Sequence, residues 1–341
     1  MGIENRVGRP RRPCHAALAT SGISLSLASV WFLRHRTSKR VQRWRPGAGT
    51  VQRVGSLGTR VFGRGEPVLV LLPGIAASQA FYGAAYDRLG DIATVVVMDP
   101  LGFGSSMDAA AEPGSFAVEQ HTEALSRTLQ KLGFDRRPLI VAGHSMGASL
   151  ALQWAATLDS DLRAVIAFDT PLYASRREAR DRVRHLGWFE AFLSSGPLAR
   201  SVCWWMCRHR TAASVIAVLM NPSIPTAIAR DGVKHTWFSY IQSFDTLVGG
   251  NTWSGAFAAL STRQVPVDLV DGTCDKVPVP GRADFLARSY DGVTTSTHPG
   301  GHDLPLSSPG WCSEYIHRRV KQTGTAGSPS SPPPLHPLSK T

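Results

Sequence analysis

Leu139-Ile140-Val141-Ala142-Gly143-His144-Ser145-Met146-Gly147-Ala148-Ser149-Leu150-Ala151-Leu152 joins an apolar run, a Gly-x-Ser-x-Gly turn and a helix-like stretch in immediate succession. A short apolar run that stops at glycine reads as a strand buried on both faces of a sheet. Strand, tight turn and helix together form the setting of a nucleophile elbow, with Ser145 at the apex and its hydroxyl pushed clear of the backbone. Gly143 and Gly147 stand where a Cβ would collide with neighbouring backbone in so sharp a turn. The helix starting behind Ser145 turns its positive end toward the serine and leaves the Met146 N–H free to serve an oxyanion.

Outward from the elbow, strands and helices alternate. Val51–Leu57 and Thr59–Gly63 read as an opening hairpin joined near Gly58, and Pro67–Leu72 as a continuous apolar strand. A helix over Ser78–Leu89, a strand over Ala93–Met98, the turn Asp99–Ser106 and a helix over Val118–Leu132 lead to the elbow strand. Helix Ala148–Leu158 and strand Ala164–Phe168 follow. This alternation specifies an α/β fold with a doubly wound, mostly parallel sheet. After Asp169-Thr170-Pro171 it stops, and residues 174–255 read as a string of helices holding Trp188, Trp204, Trp205, Trp237 and Trp253. Such an insertion predicts a helical cap over a core formed by residues 50–173 and 256–321. Its tryptophans either pack the cap onto the body or line an apolar cavity beneath it. The sheet resumes at Val265–Asp271, with a helix at Gly281–Ser289, a strand near Val293–Thr297 and a last helix Pro309–Val320. Residues 322–341, rich in Pro and Ser, are expected to be disordered.

The net charge of +12 resembles that of a nucleic-acid binder, but its distribution argues otherwise. Residues 1–45 hold ten Lys and Arg against the single acid Glu4, so the remaining chain is close to neutral and no nucleic-acid partner is expected. Between the basic clusters, His15 to Leu33 carries no formal charge. This 1–49 segment reads as an anchor, as a signal sequence or as a disordered extension, so membrane association through residues 15–45, export and a cytoplasmic location all stay open. The cysteines Cys14, Cys203, Cys207, Cys274 and Cys312 are odd in number and scattered, which is no disulfide framework. Cys203 and Cys207 lack a second ligand pair, and no metal is expected there.

A serine hydroxyl needs a base within hydrogen-bond reach and a group that orients the base. Asp275 follows one strand in Gly272-Thr273-Cys274-Asp275-Lys276, and His302 follows the next in Gly300-Gly301-His302-Asp303. Loops after parallel strands gather at one sheet edge, so Ser145, Asp275 and His302 are expected to converge there. Asp169 is the alternative acid, because it ends the preceding strand at that same edge. His298 is the alternative base but lacks the Gly-Gly lead. His144 is expected to pack beneath the elbow and Asp99 to stabilise its own turn.

With Leu72-Pro73-Gly74-Ile75, the Asp99–Ser106 turn, the elbow, the Asp275 loop and the Gly-Gly-His302 loop in this order, the chain resembles the α/β-hydrolase superfamily over about residues 50–320. The likeness is to its capped esterase/lipase-like branch. It implies an oxyanion hole from the backbone N–H groups of Ile75 and Met146, although many relatives carry His-Gly where this chain has Pro73-Gly74. It also implies serine hydrolysis of a small-molecule carboxylic ester with an apolar moiety, with no metal or organic cofactor. C–C bond hydrolysis, perhydrolysis and acyl transfer on the same triad, or ligand binding without catalysis, are the alternatives. Relatives that use an aspartate at the elbow are set apart by Ser145.

Overall fold

The computed structural model describes residues 44–108, 115–184, 196–221 and 223–325. The apolar stretch 15–33, Trp188 and residues 326–341, on which the expectations for the anchor, part of the cap and most of the tail rest, lie outside them. Eight strands form one sheet in the order β1-β2-β4-β3-β5-β6-β7-β8. They are β1 (Val51–Val54), β2 (Leu57–Gly63), β3 (Val68–Leu72), β4 (Thr94–Met98), β5 (Leu139–His144), β6 (Leu162–Phe168), β7 (Val267–Gly272) and β8 (Val293–His298). β1 and β2 join antiparallel at one edge, and every pairing from β4 to β8 is parallel. The expected doubly wound sheet is therefore present.

The sheet is buried on both faces, and residue alternation divides the core in two. Val68, Val70 and Leu72 point into the layer that holds Leu150 and Trp154, whereas Leu69 and Leu71 point into the layer that holds Tyr82, Tyr86 and Ile316. The first layer contains α1 (Val118–Leu132) and α2 (Met146–Thr157). α1 ends where Gly133 takes the left-handed conformation and returns its N–H to the carbonyls of Leu129 and Gln130.

Three local expectations change. The β1–β2 turn falls at Gly55 and Ser56, because Gly55 supplies the positive φ of 65°. Gly58 lies inside β2, where a side chain would strike Ser105 and Asp99. The stretch Ser78–Leu89 is not one helix but two 3₁₀ segments, Gln79–Phe81 and Ala84–Asp91. Between them Gly83 lies against Trp44 and Arg45, which leaves no space for a side chain. The last helix runs on to Thr325, so residues 322–325 of the expected tail are helical.

The described part of the insertion is a string of helices joined by short turns. It comprises α3 (Arg176–Arg184), α4 (Gly196–Arg208), α5 (Arg210–Met220), α6 (Thr226–Asp231) and α7 (Trp237–Ser243), the last running into a π-turn at Phe244–Val248. α7 opens on a capping box in which Thr236 and Ser239 satisfy each other's backbone N–H. α8 (Trp253–Thr262) packs against α2 and so returns the chain to the body. α9 (Arg282–Ser289), α10 (Leu304–Ser307) and α11 (Pro309–Thr325) complete the fold. Among the described residues no helix is long and apolar enough to cross a membrane.

Candidate active site

The parallel strands carry four polar residues to one sheet edge: Ser145 after β5, Asp169 after β6, Asp275 after β7 and His302 after β8. Ser145 has φ 54° and ψ −122°, a conformation that costs an L-residue on the order of 1–3 kcal/mol. The turn is held by three backbone bonds. The Ser145 N–H donates to the Phe168 carbonyl at 2.9 Å, and the Ser145 carbonyl accepts from Ala148 and Ser149 at 2.9 and 3.1 Å. A Cβ on Gly143 would strike the Gly147 carbonyl, and one on Gly147 would strike the carbonyls of Leu72 and Pro73. Both glycines are thus required by close backbone approach, as the sequence indicates.

His302 bridges the other two members. Its Nε2 lies 2.9 Å from Ser145 Oγ and its Nδ1 lies 2.9 Å from Asp275 Oδ2. One neutral tautomer satisfies both contacts: Nδ1–H donates to Asp275 while Nε2 accepts the serine O–H. The other Asp275 oxygen accepts the Val277 N–H at 2.8 Å, and the carboxylate side chain is only 1% exposed. The imidazole itself is 35% exposed, open to an incoming molecule. The structure therefore brings Ser145, His302 and Asp275 together.

Asp169 is used differently. Its Oδ1 accepts the Gly272 N–H at 2.8 Å and its Oδ2 accepts the Leu304 N–H at 3.2 Å. It ties the start of the acid loop to the end of the base loop, and the carboxylate on the His302 ring is that of Asp275. Burial pushes the Asp169 carboxyl up, toward its neutral form. His144 lies beneath the elbow, stacked on Phe81 at 4.8 Å, and its Nε2–H donates to the His302 carbonyl at 2.5 Å. Burial lowers the His144 imidazole to about 3 and keeps it neutral. His298 stacks on Trp311 at 4.1 Å, at the end of β8. Asp99 accepts from the Ser105 N–H at 2.6 Å and from the Gln79 N–H, so it braces its own turn and the first 3₁₀ segment.

The loop after β3 lies against the elbow. The Cβ position of Gly74 is 3.3 Å from Ser145 Cβ. Ile75 follows it and Ala76 has φ 52°. Met146 is the first residue of α2, where an N–H has no partner within the helix. Ala76, Ser145, Asp169 and Leu172 all have positive φ, and strain of this kind concentrates at functional sites. The acid and base loops approach closely as well: a Cβ on Gly272 would strike the carbonyls of Gly300 and Gly301, and the Cys274 N–H donates to Gly300 at 2.8 Å. That approach accounts for Gly272, whereas a Cβ on Gly300 would meet the Leu304 side chain and one on Gly301 would find space.

Among the described residues, His144, Asp169 and His302 are the group whose donor atoms come within 4.8 Å of one another, close enough to share an ion. Those atoms already serve the hydrogen bonds above. Cys203 is buried, and Cys207 Sγ donates to the His235 carbonyl at 3.2 Å. A cavity of about 790 Å³ opens beside the acid loop between α3 and Lys276, lined by Arg177, Glu178, Asp181 and Arg182. It is charged and excludes Ser145 and His302, unlike the apolar cavity expected under the cap. The cap tryptophans divide: Trp253 is buried with its Nε1–H on the Tyr173 carbonyl, whereas Trp204 is 62% exposed and Trp205 39%.

The family described as "alpha/beta hydrolase fold" matches residues 67–201, from β3 through the elbow into the cap. This chain has the α/β-hydrolase fold. Solved structures agree with it over most of its length. A crystallised E-2-(acetamidomethylene)succinate hydrolase, 20% identical, superposes with a TM-score of 0.61 over 80% of this chain and 100% of its own. A bacterial membrane phospholipase A, 15% identical, superposes with a TM-score of 0.57 over 91% of this α/β-hydrolase-fold chain and 96% of its own. The putative carbamate hydrolase RutD of Enterobacter cloacae is 28% identical over 42% of this chain and 54% of its own length. The probable lysophospholipase BODYGUARD 4 of Arabidopsis thaliana is 22% identical over 64% of this chain and 57% of its own. The chain thus spans about half the length of the curated relatives it matches.

Proposed function

We propose that this α/β-hydrolase-fold chain is a serine hydrolase that cleaves a carboxylic ester with an apolar moiety through an acyl-enzyme on Ser145. The observation that carries the reading is the unbroken chain of contacts from Ser145 Oγ through His302 to Asp275, each link 2.9 Å. His302 Nε2 takes the serine proton as Oγ attacks the substrate carbonyl. The Asp275 carboxylate holds the ring in the correct tautomer and stabilises the imidazolium. The N–H groups of Ile75 and Met146 receive the negative charge that develops on the carbonyl oxygen. Nε2–H then protonates the departing alcohol, and water activated by the same ring releases the acid and regenerates Ser145. No residue in this sequence of steps needs a metal or organic cofactor.

The apolar part of the substrate rests on the likeness to capped esterases and lipases, while Trp237, Phe244 and Leu247 of the cap pack onto the core of the body. Relatives described as carbamate hydrolase and lysophospholipase favour acyl-type hydrolysis of a small molecule without naming its ester. A chain-length series of p-nitrophenyl esters tests the reading. Wild type is expected to turn over the series with a preference for longer acyl chains and to be labelled by a fluorophosphonate. Ser145→Ala is expected to lose turnover by roughly 10⁴-fold or more and to lose the label. Equal turnover by the two proteins overturns the proposal.

A further inference from the structure

α5 is built inside out. A surface helix ordinarily buries its apolar stripe and exposes its polar one. Here Ala213 is the residue turned fully inward, while Val215, Leu219 and Met220 are 53, 43 and 52% exposed along one stripe. The neighbouring α4 continues that surface with Leu198 at 70%, Trp204 at 62% and Trp205 at 39%. Apart from Val51 and Phe285, the large hydrophobic side chains exposed among the described residues lie on these two helices. Two Trp rings and six aliphatic side chains are thus exposed on two consecutive helices, more than scattered surface residues account for.

Charge selects what covers it. Residues 196–221 contain Arg200, Arg208, His209 and Arg210 and no Asp or Glu. Among the described residues none of the three arginines has an acidic partner. Arg208 lies over the Trp204 ring at 5.5 Å, so cation and ring project together at the rim of the face. A second copy of the chain would set arginine against arginine. The apolar segment 15–33 is flanked by ten Lys and Arg with one acid, and it would be repelled in the same way. Exposed aliphatic side chains, Trp at the margin and unpaired Arg are instead the composition of an interfacial helix on anionic lipid.

We propose that the outer face of α4 and α5 docks on an anionic lipid surface, with Trp204, Trp205 and Leu219 entering the headgroup–acyl boundary and Arg200 and Arg208 meeting lipid phosphates. This surface is separate from Ser145, and its occupancy is read by binding, whether or not the serine reacts.

Co-sedimentation of the full-length chain with phosphatidylcholine vesicles, with and without phosphatidylglycerol, tests it. A Leu27→Asp/Val30→Asp parent removes any contribution from the 15–33 segment. The parent is expected to bind phosphatidylglycerol vesicles and to lose that binding in high salt. Trp204→Ser/Trp205→Ser/Leu219→Ser on the parent is expected to weaken partition by at least about tenfold. Arg200→Ser/Arg208→Ser is expected to weaken it on anionic vesicles only, by about fivefold per arginine. Unchanged thermal unfolding of each variant shows that the fold is kept. Three outcomes overturn the proposal: no binding by the parent, equal binding by the parent and the apolar variant, or binding to polyglutamate but not to vesicles. A dimer in light scattering that the apolar variant dissociates assigns the face to a second copy and overturns it too.

Discussion

α2 and α5 are helices of nearly the same length and of similarly apolar sequence, yet the protein uses them in opposite ways. In α2 every residue from Met146 to Ala155 is buried, between the sheet on one side and α1 and α8 on the other. In α5 a single described residue, Ala213, is buried, and the apolar stripe faces outward. The difference is one of neighbours. α2 follows directly from a central strand, so the connection forces it onto the sheet. α5 lies between cap helices, and nothing in its own composition fixes which side is covered. An apolar helix is a statement about what its surroundings must be, and those surroundings can be sheet or lipid.

The widest separation between the two regions is expected in turnover. Asp275→Asn leaves shape intact but removes the charge that orients His302, and a loss of about 10⁴-fold in kcat on a soluble p-nitrophenyl ester is expected. Trp204→Ser is expected to leave that turnover within about twofold, because an exposed side chain on α4 touches none of the reacting groups. A large loss in the second variant breaks the separation of cap face and sheet edge.

Stability is the next measure. Leu150→Ala opens a cavity in α2 and is expected to cost about 2–5 kcal/mol in denaturant unfolding. Ile216→Ser, at a position 44% exposed, is expected to fall within about 0.5 kcal/mol of wild type. Equal costs would mean that the face of α5 is covered in solution.

Asp169→Asn sharpens the account of the sheet edge. The carboxamide can still accept from Gly272, but its second position can no longer serve both loops. A destabilisation of about 1–3 kcal/mol is expected for the amide left unpaired. The Asp169 oxygens serve the Gly272 and Leu304 N–H groups and make no hydrogen bond to the His302 ring, so the pH profile of kcat/KM is expected to keep its midpoint, whereas Asp275→Asn is expected to move it. A shifted midpoint in Asp169→Asn would give that residue a direct part in the chemistry.

The smallest effect concerns His121, fully buried with Nε2 at 3.0 Å from Ser243 Oγ. Burial lowers its imidazole from the usual 6.5 to about 3. The folded state therefore resists protonation that the unfolded chain accepts. The stability this contributes is complete above pH 6.5 and is lost as pH falls toward 3, by roughly 1 kcal/mol per pH unit. His121→Gln is expected to flatten that slope in unfolding curves taken between pH 6 and 4, and an unchanged slope would place the acid sensitivity elsewhere.

What could be read in the sequence follows the same division. The elbow, the mostly parallel sheet and the Ser145, Asp275 and His302 positions are written in local pattern: apolar runs, glycines and strand-end loops. The approach of Gly272 to Gly300 and Gly301, the staple from Asp169 and the His144 bond to the His302 carbonyl are not local, because they join segments more than a hundred residues apart or depend on which loop closes on which. Trp204 and Trp205 misled for a simpler reason. A tryptophan in a helix is most often a core residue, and only the surrounding packing shows that these two face out.

His144 joins the elbow to the loop that carries the base through a single N–H, and Asp169 joins the base loop to the acid loop through two accepted bonds. The serine, the histidine and the aspartate thus ride on one assembly, and the cap reaches it at the acid loop, where Arg182 of α3 donates to the Lys276 and Pro278 carbonyls. A change in α3 therefore bears on the loop that holds Asp275, whereas α4 and α5 have no such bond to it among those described. In such a molecule one cap helix shares a loop with the polar sheet edge, and the outer cap helices are left free to vary.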